Sequence, residues 1–586
     1  MRPFARIAST FAIIVAFAAV SLSVVADERP AVEDPIDVLD GANVLHPMIE
    51  RYSTDRRALG RAYPTPTSPR ARQRMEAFLA DWGYRLEAVS FDALPHAGKV
   101  DYILLRNLLD HERKTLAHEA ARVDAIGALA PFRDTIVNLA DERHAMNTIS
   151  GREAADALTA IKGRIDEASR AVRDETLTAS TAVADRAVRR IGELREALER
   201  WHGFYDGYDP VFTWWTKKPY EEVDKALEEY AKLVRKEIVG VEFDDEEAII
   251  GDPIGREALL DELAFEMIPY TPEELIAIAE REFAWCEAER IKAARDMGLG
   301  DDWRAAQEHV KGLHVAPGQQ PDMIRELALE AVDFLEQREL LTIPDLAKEV
   351  WRMEMMTPRR QLMTPYFTGG EVISVSFPTD GMTHEQKIMS MQGNNRHYSR
   401  ATVHHELIPG HHLQGYMNQR HRTYRRAFST PFWGEGWALY WEMLLWDLDF
   451  PQSPEDRIGM LFWRSHRCAR IIFSLSFHLE LMTADEAVEF LIERVGHEQR
   501  NAAAEVRRSV AGDYGPLYQA AYMLGGLQFR ALHRELVESG RMTNREFHDA
   551  ILHNNSIPVE MVRATLINQA LTKDHAASWR FADEND

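Results

Sequence analysis

The chain has 586 residues, of which 45% are hydrophobic, 28% charged and 9% aromatic, a composition typical of a globular protein with a substantial core. Its formal net charge of −25 disfavours nucleic acid as a partner, because an acidic surface repels the phosphate backbone. The only cysteines, Cys286 and Cys468, exclude a disulfide-rich scaffold and a cysteine-rich zinc module. Any bound metal ion therefore needs histidine and carboxylate ligands.

The first residues have the features of an export signal. Arg2 and Arg6 precede an uncharged apolar stretch, residues 7–26, which ends in small residues at Val24-Val25-Ala26. We predict that residues 1–26 are a cleaved signal peptide and that the mature protein is periplasmic or secreted. An uncleaved N-terminal anchor is the alternative, because the stretch is nearly long enough to span a bilayer. No cysteine follows the stretch, which disfavours a lipid anchor there, and no membrane association is expected after cleavage.

Most of the mature chain is predicted to be α-helical. Apolar residues recur at three- and four-residue spacing in long segments that contain few or no prolines. Thr271 and Thr483 each precede first-turn acids, the pattern of a helix N-cap. The predicted helical runs are residues 148–201, 272–297, 322–339 and 455–482.

Strand signals are scarce. Residues 372–377 (VISVSF) alternate, are rich in β-branched side chains and end at Pro378, which predicts one strand of a small hairpin or sheet. An edge strand of this kind can pair with the backbone of a bound peptide, and a purely structural hairpin is the alternative. A stretch rich in glycine and proline, residues 312–321, predicts a boundary between an N-terminal helical region, residues 27–311, and a C-terminal catalytic helical region, residues 312–586.

Histidines are concentrated in the segment TVHHELIPGHHLQ, residues 402–414. In zinc peptidases with an HExxH motif, two histidines one helical turn apart bind zinc, and the glutamate beside the first acts as a base. Glu406 follows His405 in this way, but Pro409 stands four residues after His405, so the usual spacing is absent. The four histidines of the segment are His404, His405, His411 and His412.

Pro409 and Gly410 predict a break that turns a later histidine back toward His405. Proline cannot donate a helical hydrogen bond, and glycine permits dihedral angles that other residues avoid. An interrupted helix allows His411 to face His405 across the break. On a continuous helix, His412 would share a face with His405 but lie about 10 Å away along the axis. We therefore favour His411 over His412 as the second metal ligand.

A third ligand is predicted in the segment GEGWALY, residues 434–440. Glu435 begins a strongly apolar helical run and stands 24 residues after His411. Two histidines and one glutamate leave a coordination position for water, which catalytic zinc sites require. For Glu435 alone the alternative is a first-turn acid that the helix dipole favours.

The segments HHELIPGHHLQ and GEGWALYWE together resemble a bacterial family known as domain of unknown function 885. The resemblance implies a mainly α-helical fold similar to that of the gluzincin metallopeptidases, with a cleft. It also implies that His405, His411 and Glu435 are zinc ligands and that Glu406 is the general base. The flanking segments that carry the resemblance further are GYDPVFTWW (207–215), IPYTPEEL (268–275), RIIFSLSFH (470–478) and AAYMLGG (520–526).

Four further residues are candidates for contact with a substrate. Tyr522 resembles the tyrosine that donates to the oxyanion in helical zinc peptidases, while Tyr518 competes for that role and core packing is the alternative. Arg470 and His478 fall about two turns apart on one face of a predicted helix, and we predict that they bind substrate. Arg470 has the chemistry to pair with a substrate carboxylate, or with an internal acid.

The sequence also contains a cluster of aromatic residues. We predict that they pack between helices, in preference to stacking on sugars or bases. They are Trp201, Phe204, Tyr205, Tyr208, Phe212, Trp214 and Trp215.

These patterns predict an exported zinc peptidase that hydrolyses short peptides or unfolded chains. One alternative is an iron site in which His404 and Glu406 act with a distant histidine. The other is a catalytically inactive, peptidase-like binding protein, for which the broken HExxH spacing is the main argument. The sequence leaves open the mode of cleavage, the side-chain preference and the oligomeric state.

Overall fold

A computed structural model describes residues 43–65, 68–245, 247–363, 367–511 and 514–582. These residues are mainly α-helical, as predicted, and include two short strands. The predicted signal peptide lies outside the described residues. Within the described part, no helix is both long and apolar enough to cross a bilayer. The predicted boundary near residues 312–321 stays a prediction.

The N-terminal helices differ from the prediction at one place. The predicted run at residues 148–201 is two helices, because residues 174–180 contain threonine and serine, which are weak helix formers, and Ser180 accepts a hydrogen bond from Val183 N as the N-cap of the second. The helices are α1 (Leu45–Ala62), α2 (Pro69–Glu87), α3 (His96–Ala125), α4 (Arg133–His144), α5 (Gly151–Arg173), α6 (Thr181–Tyr205) and α7 (Pro210–Val234).

Three of the next helices begin at a side chain that caps the first turn. Thr271 accepts from the backbone N–H of Glu274, whose carboxylate accepts from Thr271 N in return, which confirms the predicted start. The helices are α8 (Gly255–Phe265), α9 (Pro272–Asp296), α10 (Trp303–Lys311), α11 (Gln320–Gln337), α12 (Asp345–Val350), α13 (Pro358–Met363) and α14 (His384–Gly393).

The C-terminal helices surround the histidine-rich segment. Thr483 caps one of them through the same reciprocal pair of hydrogen bonds, here with Glu486. The helices are α15 (Arg396–Glu406), α16 (His411–Asn418), α17 (Pro431–Asp447), α18 (Pro454–His478), α19 (Ala484–Phe490), α20 (Gln499–Val510), α21 (Tyr518–His533), α22 (Asn544–Leu552) and α23 (Val559–Leu566).

The predicted strand pairs with a segment that the sequence pattern does not reveal. Strand β1 (Arg352–Met355) and strand β2 (Val372–Val375) form a parallel pair, so the element is a small sheet and not a hairpin. On the other edge of β2, Ser374 exchanges backbone hydrogen bonds with Thr368. That edge is therefore already partly paired within the chain.

Two helices that carry candidate site residues are in backbone contact. α17 packs against α21 at Gly436 and Gly525, and a Cβ atom added to either glycine would overlap backbone atoms of the facing helix. Glycine is required at both positions by this close approach. Helices α4 to α7 enclose a separate apolar cluster that includes Leu158, Ile191 and Leu227.

Candidate metal centre

The predicted break in the histidine segment is present. α15 ends at Glu406 and α16 begins at His411, and Leu407 has non-helical dihedral angles between them. The backbone N–H of Gly410 donates to His404 O at 3.0 Å. A Cβ atom on Gly410 would overlap the carbonyl oxygen of His405, so this turn needs glycine. The break confirms the prediction made from Pro409 and Gly410.

The break brings the two predicted histidine ligands to one carboxylate. Glu435 Oε2 lies 3.5 Å from His405 Nε2 and 3.1 Å from His411 Nε2. Two donor atoms bound to one tetrahedral zinc ion at about 2.0–2.1 Å would lie roughly 3.3 Å apart. The observed distances are close to this value. The residues present therefore fit a small divalent cation in both donor type and spacing.

Glu406 lies beside these donors. Its carboxylate and the imidazoles of His405 and His411 place one donor atom each within 4.8 Å of one another. The loop before β2 covers Glu406, because Gly370 N donates to Glu406 O at 3.2 Å and a Cβ atom on Gly369 would overlap the Glu406 side chain. The small sheet is thus held against the cluster.

The far nitrogen of each histidine is held by a second side chain. His405 Nδ1 donates to Glu442 Oε1 at 2.8 Å, and His411 Nδ1 donates to Gln414 Oε1 at 3.0 Å. Metal-binding histidines usually have such partners, which fix the ring and direct the free nitrogen at the ion. The sequence analysis missed both partners. Sequence spacing could have indicated both. Glu442 follows Glu435 by seven residues and Gln414 follows His411 by three, so each partner shares a helix face with a predicted ligand.

The electrostatics of the cluster favour a positive charge. Burial raises the pKa of Glu435, but the neighbouring imidazoles outweigh it and hold the pKa well below the usual range. Burial lowers the pKa of His411, yet the Glu435 carboxylate raises it to about 10. Burial is also the main cause that raises the pKa of Glu406. Glu435 thus stays ionised and gives the cluster a negative charge that attracts a cation.

The other two histidines of the segment lie outside the cluster. His412 Nε2 is 2.7 Å from Ala347 O, so the structure brings His411, and not His412, to Glu435. His404 is buried with its ring against Phe450, and within the described part neither ring nitrogen has a hydrogen-bond partner. Burial lowers the pKa of His404 to about 3. Among the described residues, the group of donor atoms that could share a metal ion contains Glu406, His405 and His411 but not His404, which the iron-site alternative needs.

Both candidate tyrosines reach the cluster. Tyr518 donates to Glu435 Oε1 at 2.5 Å, which leaves Oε2 for the two histidines. Tyr522 stacks on His405 with ring centroids 6.2 Å apart. Burial raises the pKa of both phenols, so both remain protonated hydrogen-bond donors near neutral pH.

The two predicted substrate-binding residues are both buried within the protein. Arg470 Nε donates to the buried Glu505 Oε1 at 2.6 Å, and its guanidinium lies 4.6 Å from the centre of the Tyr522 ring. His478 is buried, and burial lowers its pKa to about 4. Neither side chain contacts the histidine and glutamate cluster directly. Their role in binding substrate stays a prediction.

A cavity of about 400 Å³ opens beside the cluster. Its wall includes His411, Glu435 and Tyr518 together with the polar side chains of Asn418 and Ser556. This volume would hold one or two amino-acid side chains. It lies at the low end of the range found for small-molecule binding sites.

The sequence match now identifies the family. Residues 57–566 match the model of a family described as "Bacterial protein of unknown function (DUF885)". The chain belongs to this family. The matched residues include the histidine and glutamate cluster described above, namely His405, Glu406, His411 and Glu435. No curated protein matches the chain.

Two solved structures share the fold. One is a candidate lipoprotein of unknown function from Shewanella oneidensis, with a TM-score of 0.63 and 16% identity, covering 89% of this chain and 99% of that chain. The other is a candidate lipoprotein from Colwellia psychrerythraea, with a TM-score of 0.56 and 15% identity, covering 89% and 98% respectively. At this identity the likeness concerns the fold, and the activity must be argued from the site.

Proposed function

We propose that this DUF885 protein is an exported zinc-dependent peptidase that acts on short peptides. The observation that carries the proposal is the convergence of His405 and His411 on Glu435 Oε2, at 3.5 and 3.1 Å. The partners of the two Nδ1 atoms, Glu442 and Gln414, support it, because they direct both Nε2 atoms to the same point. Carboxylate and imidazole donors without cysteine are the ligand type of catalytic zinc sites.

The residues around the cluster supply the other functions that peptide hydrolysis needs. A zinc ion held by His405, His411 and Glu435 would polarise the scissile carbonyl and lower the pKa of a water molecule. Glu406 takes a proton from the attacking water and returns it to the leaving amine. Tyr518 orients Glu435 through Oε1, which leaves Tyr522 as the donor to the developing oxyanion.

The proposed location rests on two observations. Residues 1–26 have the pattern of a signal peptide, and both similar solved structures are described as candidate lipoproteins. We therefore place the protein in the periplasm or outside the cell. Amino-terminal sequencing of the protein recovered from the periplasmic fraction tests this, with Asp27 as the expected first residue.

Metal analysis tests the site. Elemental analysis of the protein that begins at Asp27 is expected to find about one zinc ion per chain, and none in His405→Ala. His412→Ala is the matched control, because His412 bonds to Ala347 O and should leave the zinc content unchanged. A protein that takes up no zinc after addition of the metal would contradict the proposal.

Peptide hydrolysis tests the chemistry separately. Glu406→Gln is expected to retain zinc while hydrolysis of a peptide library falls by roughly 10²–10⁴-fold, the usual contribution of a general base. Retained hydrolysis in the zinc-loaded variant would refute the role of Glu406. A zinc-loaded wild-type protein that cleaves no peptide would favour the alternative, a catalytically inactive binding protein.

A further inference from the structure

The aromatic cluster predicted to pack between helices is divided by the fold. Trp201 and Phe212 are 1% and 0% exposed and pack beneath the turn between α6 and α7, as predicted. Four other members are exposed, so for them the packing prediction is wrong. The exposed fractions are 57% for Phe204, 87% for Tyr208, 75% for Trp214 and 39% for Trp215, and the adjacent Val211 is 63% exposed.

The five exposed residues surround a single turn, and we call them the aromatic tip. Phe204 is at the end of α6, and Tyr208 is in the connection. Val211, Trp214 and Trp215 follow at the i, i+3 and i+4 positions of α7, which share one helix face. The Trp214 and Trp215 rings are in edge-to-face contact, with centroids 5.1 Å apart.

The turn that carries the aromatic tip is firmly held. Asp209 caps α7 by accepting from Val211 N at 2.9 Å and from Phe212 N at 3.0 Å. Thr213 Oγ1 accepts from Gly207 N at 2.8 Å. The exposed rings therefore stand on an ordered backbone above a buried Trp201–Phe212 contact, and their exposure is a property of the fold.

Positive side chains flank the aromatic tip. Lys217 and Lys218 follow the two tryptophans and are exposed, and Lys218 lies 3.7 Å from Glu222. On the other side, the Arg143 guanidinium lies 5.1 Å from the centre of the Phe204 ring. Long basic side chains beside aromatic rings are the arrangement found at the membrane–water interface, where the charge reaches the headgroups.

The exposed apolar area of the aromatic tip indicates whether a lipid bilayer or another protein is the better partner. At about 200 Å² for each aromatic side chain, the exposed fractions amount to roughly 500 Å², close to the largest apolar patches on monomeric proteins. A stable protein interface needs about 800 Å² on each side. A small convex tip rich in tryptophan and tyrosine suits the headgroup region of a bilayer better than a second copy of the chain.

We propose that the aromatic tip inserts into the interfacial region of a lipid bilayer and attaches the protein peripherally. This goes beyond the proposed peptidase activity and does not depend on it. It also departs from the expectation that the protein has no membrane association after cleavage of the signal peptide. Trp214 and Trp215 provide the inserted surface, and Lys217 and Lys218 add attraction to anionic headgroups.

Co-sedimentation with vesicles of phosphatidylethanolamine and phosphatidylglycerol tests the proposal on the full mature chain. Wild-type protein is expected to sediment with the vesicles, and Trp214→Ala/Trp215→Ala is expected to weaken partitioning by at least about tenfold. Tyr84→Ala/Leu481→Ala is the matched control, because these residues are 74% and 69% exposed but lie on α2 and in the connection between α18 and α19. Lys217→Ala/Lys218→Ala should weaken binding by about fivefold per lysine, and only when the anionic lipid is present.

Three outcomes would overturn the proposal. The first is a wild-type protein that remains in the supernatant with all vesicles. The second is vesicle binding that the tryptophan variant leaves unchanged while its thermal unfolding matches the wild type. The third is a wild-type dimer that the same variant converts to a monomer in sedimentation velocity without any vesicle binding, which would make the aromatic tip a protein interface.

Discussion

Helices α5 and α18 have similar lengths but are built in opposite ways. In α5, nine of 23 residues are buried, and they form one apolar face toward α7. In α18, every residue from Ile458 to His478 is buried, although this stretch carries three arginines and two histidines. Helix α5, in the N-terminal bundle of helices α4 to α7, thus separates apolar and charged residues by face, whereas α18, behind the candidate metal centre, buries both kinds together.

The buried charges of α18 are matched by acids on three other helices. Within the described part, Arg464 contacts Glu282 on α9 at 2.9 Å, and Arg467 contacts Glu442 on α17 at 3.5 Å. Arg470 contacts Glu505 on α20 at 2.6 Å. Because Glu442 also holds His405, the Arg467–Glu442 pair connects α18 with the candidate metal centre. Substitutions around α18 should therefore act by changing charge and geometry. Substitutions in the N-terminal bundle should act by removing apolar contacts.

The largest effect is expected from Gly410→Ala. The added Cβ would overlap the His405 carbonyl oxygen, a backbone atom that cannot move aside, so His411 should be displaced from Glu435. We expect zinc affinity to fall by more than about 100-fold, beyond the effect of losing one supporting residue. Competition with a chelator measures this. Gly415→Ala in α16 is the control, since nothing lies within 4 Å of its added Cβ, and equal zinc loss there would refute the geometric cause.

Arg470→Met is expected to lower the free energy of unfolding by about 3 kcal/mol, the lower end of the cost of breaking a buried ion pair, because it removes one of the two arginines that pair with the buried Glu505 and leaves Arg508 in place. The double variant Arg470→Met/Glu505→Met should recover part of this loss. Denaturant unfolding measures both. A stable single variant with a raised KM for peptides would instead favour the substrate-binding role that the sequence predicts.

In the bundle, Leu158→Ala should lower the free energy of unfolding by about 2–5 kcal/mol through the cavity it leaves, since Leu158 is fully buried. The zinc content of the folded protein should not change. Leu329→Ala, at a half-exposed position on α11, should have little effect. Loss of zinc in folded Leu158→Ala would show that the two regions are coupled more closely than their packing indicates.

The last prediction concerns pH, and its effect within one pH unit is smaller than the effects above. Glu266 is buried and accepts a hydrogen bond from Thr430, and burial raises its pKa from 4.5 to about 8. The raised pKa means that stability from this group is present below pH 4.5 and lost as pH rises toward 8, by up to about 1.4 kcal/mol per pH unit. Glu266→Gln should reduce this slope between pH 5 and pH 8 in denaturant unfolding. Parallel pH profiles for the two proteins would contradict the assignment.

Local signals made the fold class and the centre of the site predictable. Thr271 and Thr483 act on residues within one turn, and Pro409 and Gly410 break the helix through their own backbone chemistry. The features that depend on distant partners were not predictable. β1 alternates polar and apolar residues over only four positions and contains no β-branched residue, so its pairing with β2 is what reveals it as a strand.

The supporting residues of the site illustrate the same limit. Glu442 has the spacing to share a face with Glu435, but only the fold shows that His405 lies against that face. Whether an aromatic side chain is covered also depends on the neighbouring helix. Phe212 and Trp214 are two residues apart in one helix, and the first is buried while the second is exposed.

The contact between Gly436 and Gly525 determines how the candidate metal centre comes apart when the protein is heated. Glu435 stands on α17 and Tyr518 on α21, and these helices meet backbone to backbone, with no side chain between them that could rearrange. The backbone positions that carry the carboxylate and the phenol therefore separate only if the two helices move apart. The capacity to hold a metal should disappear in the same cooperative transition as the folded helices, so metal release would report global melting and not a local event.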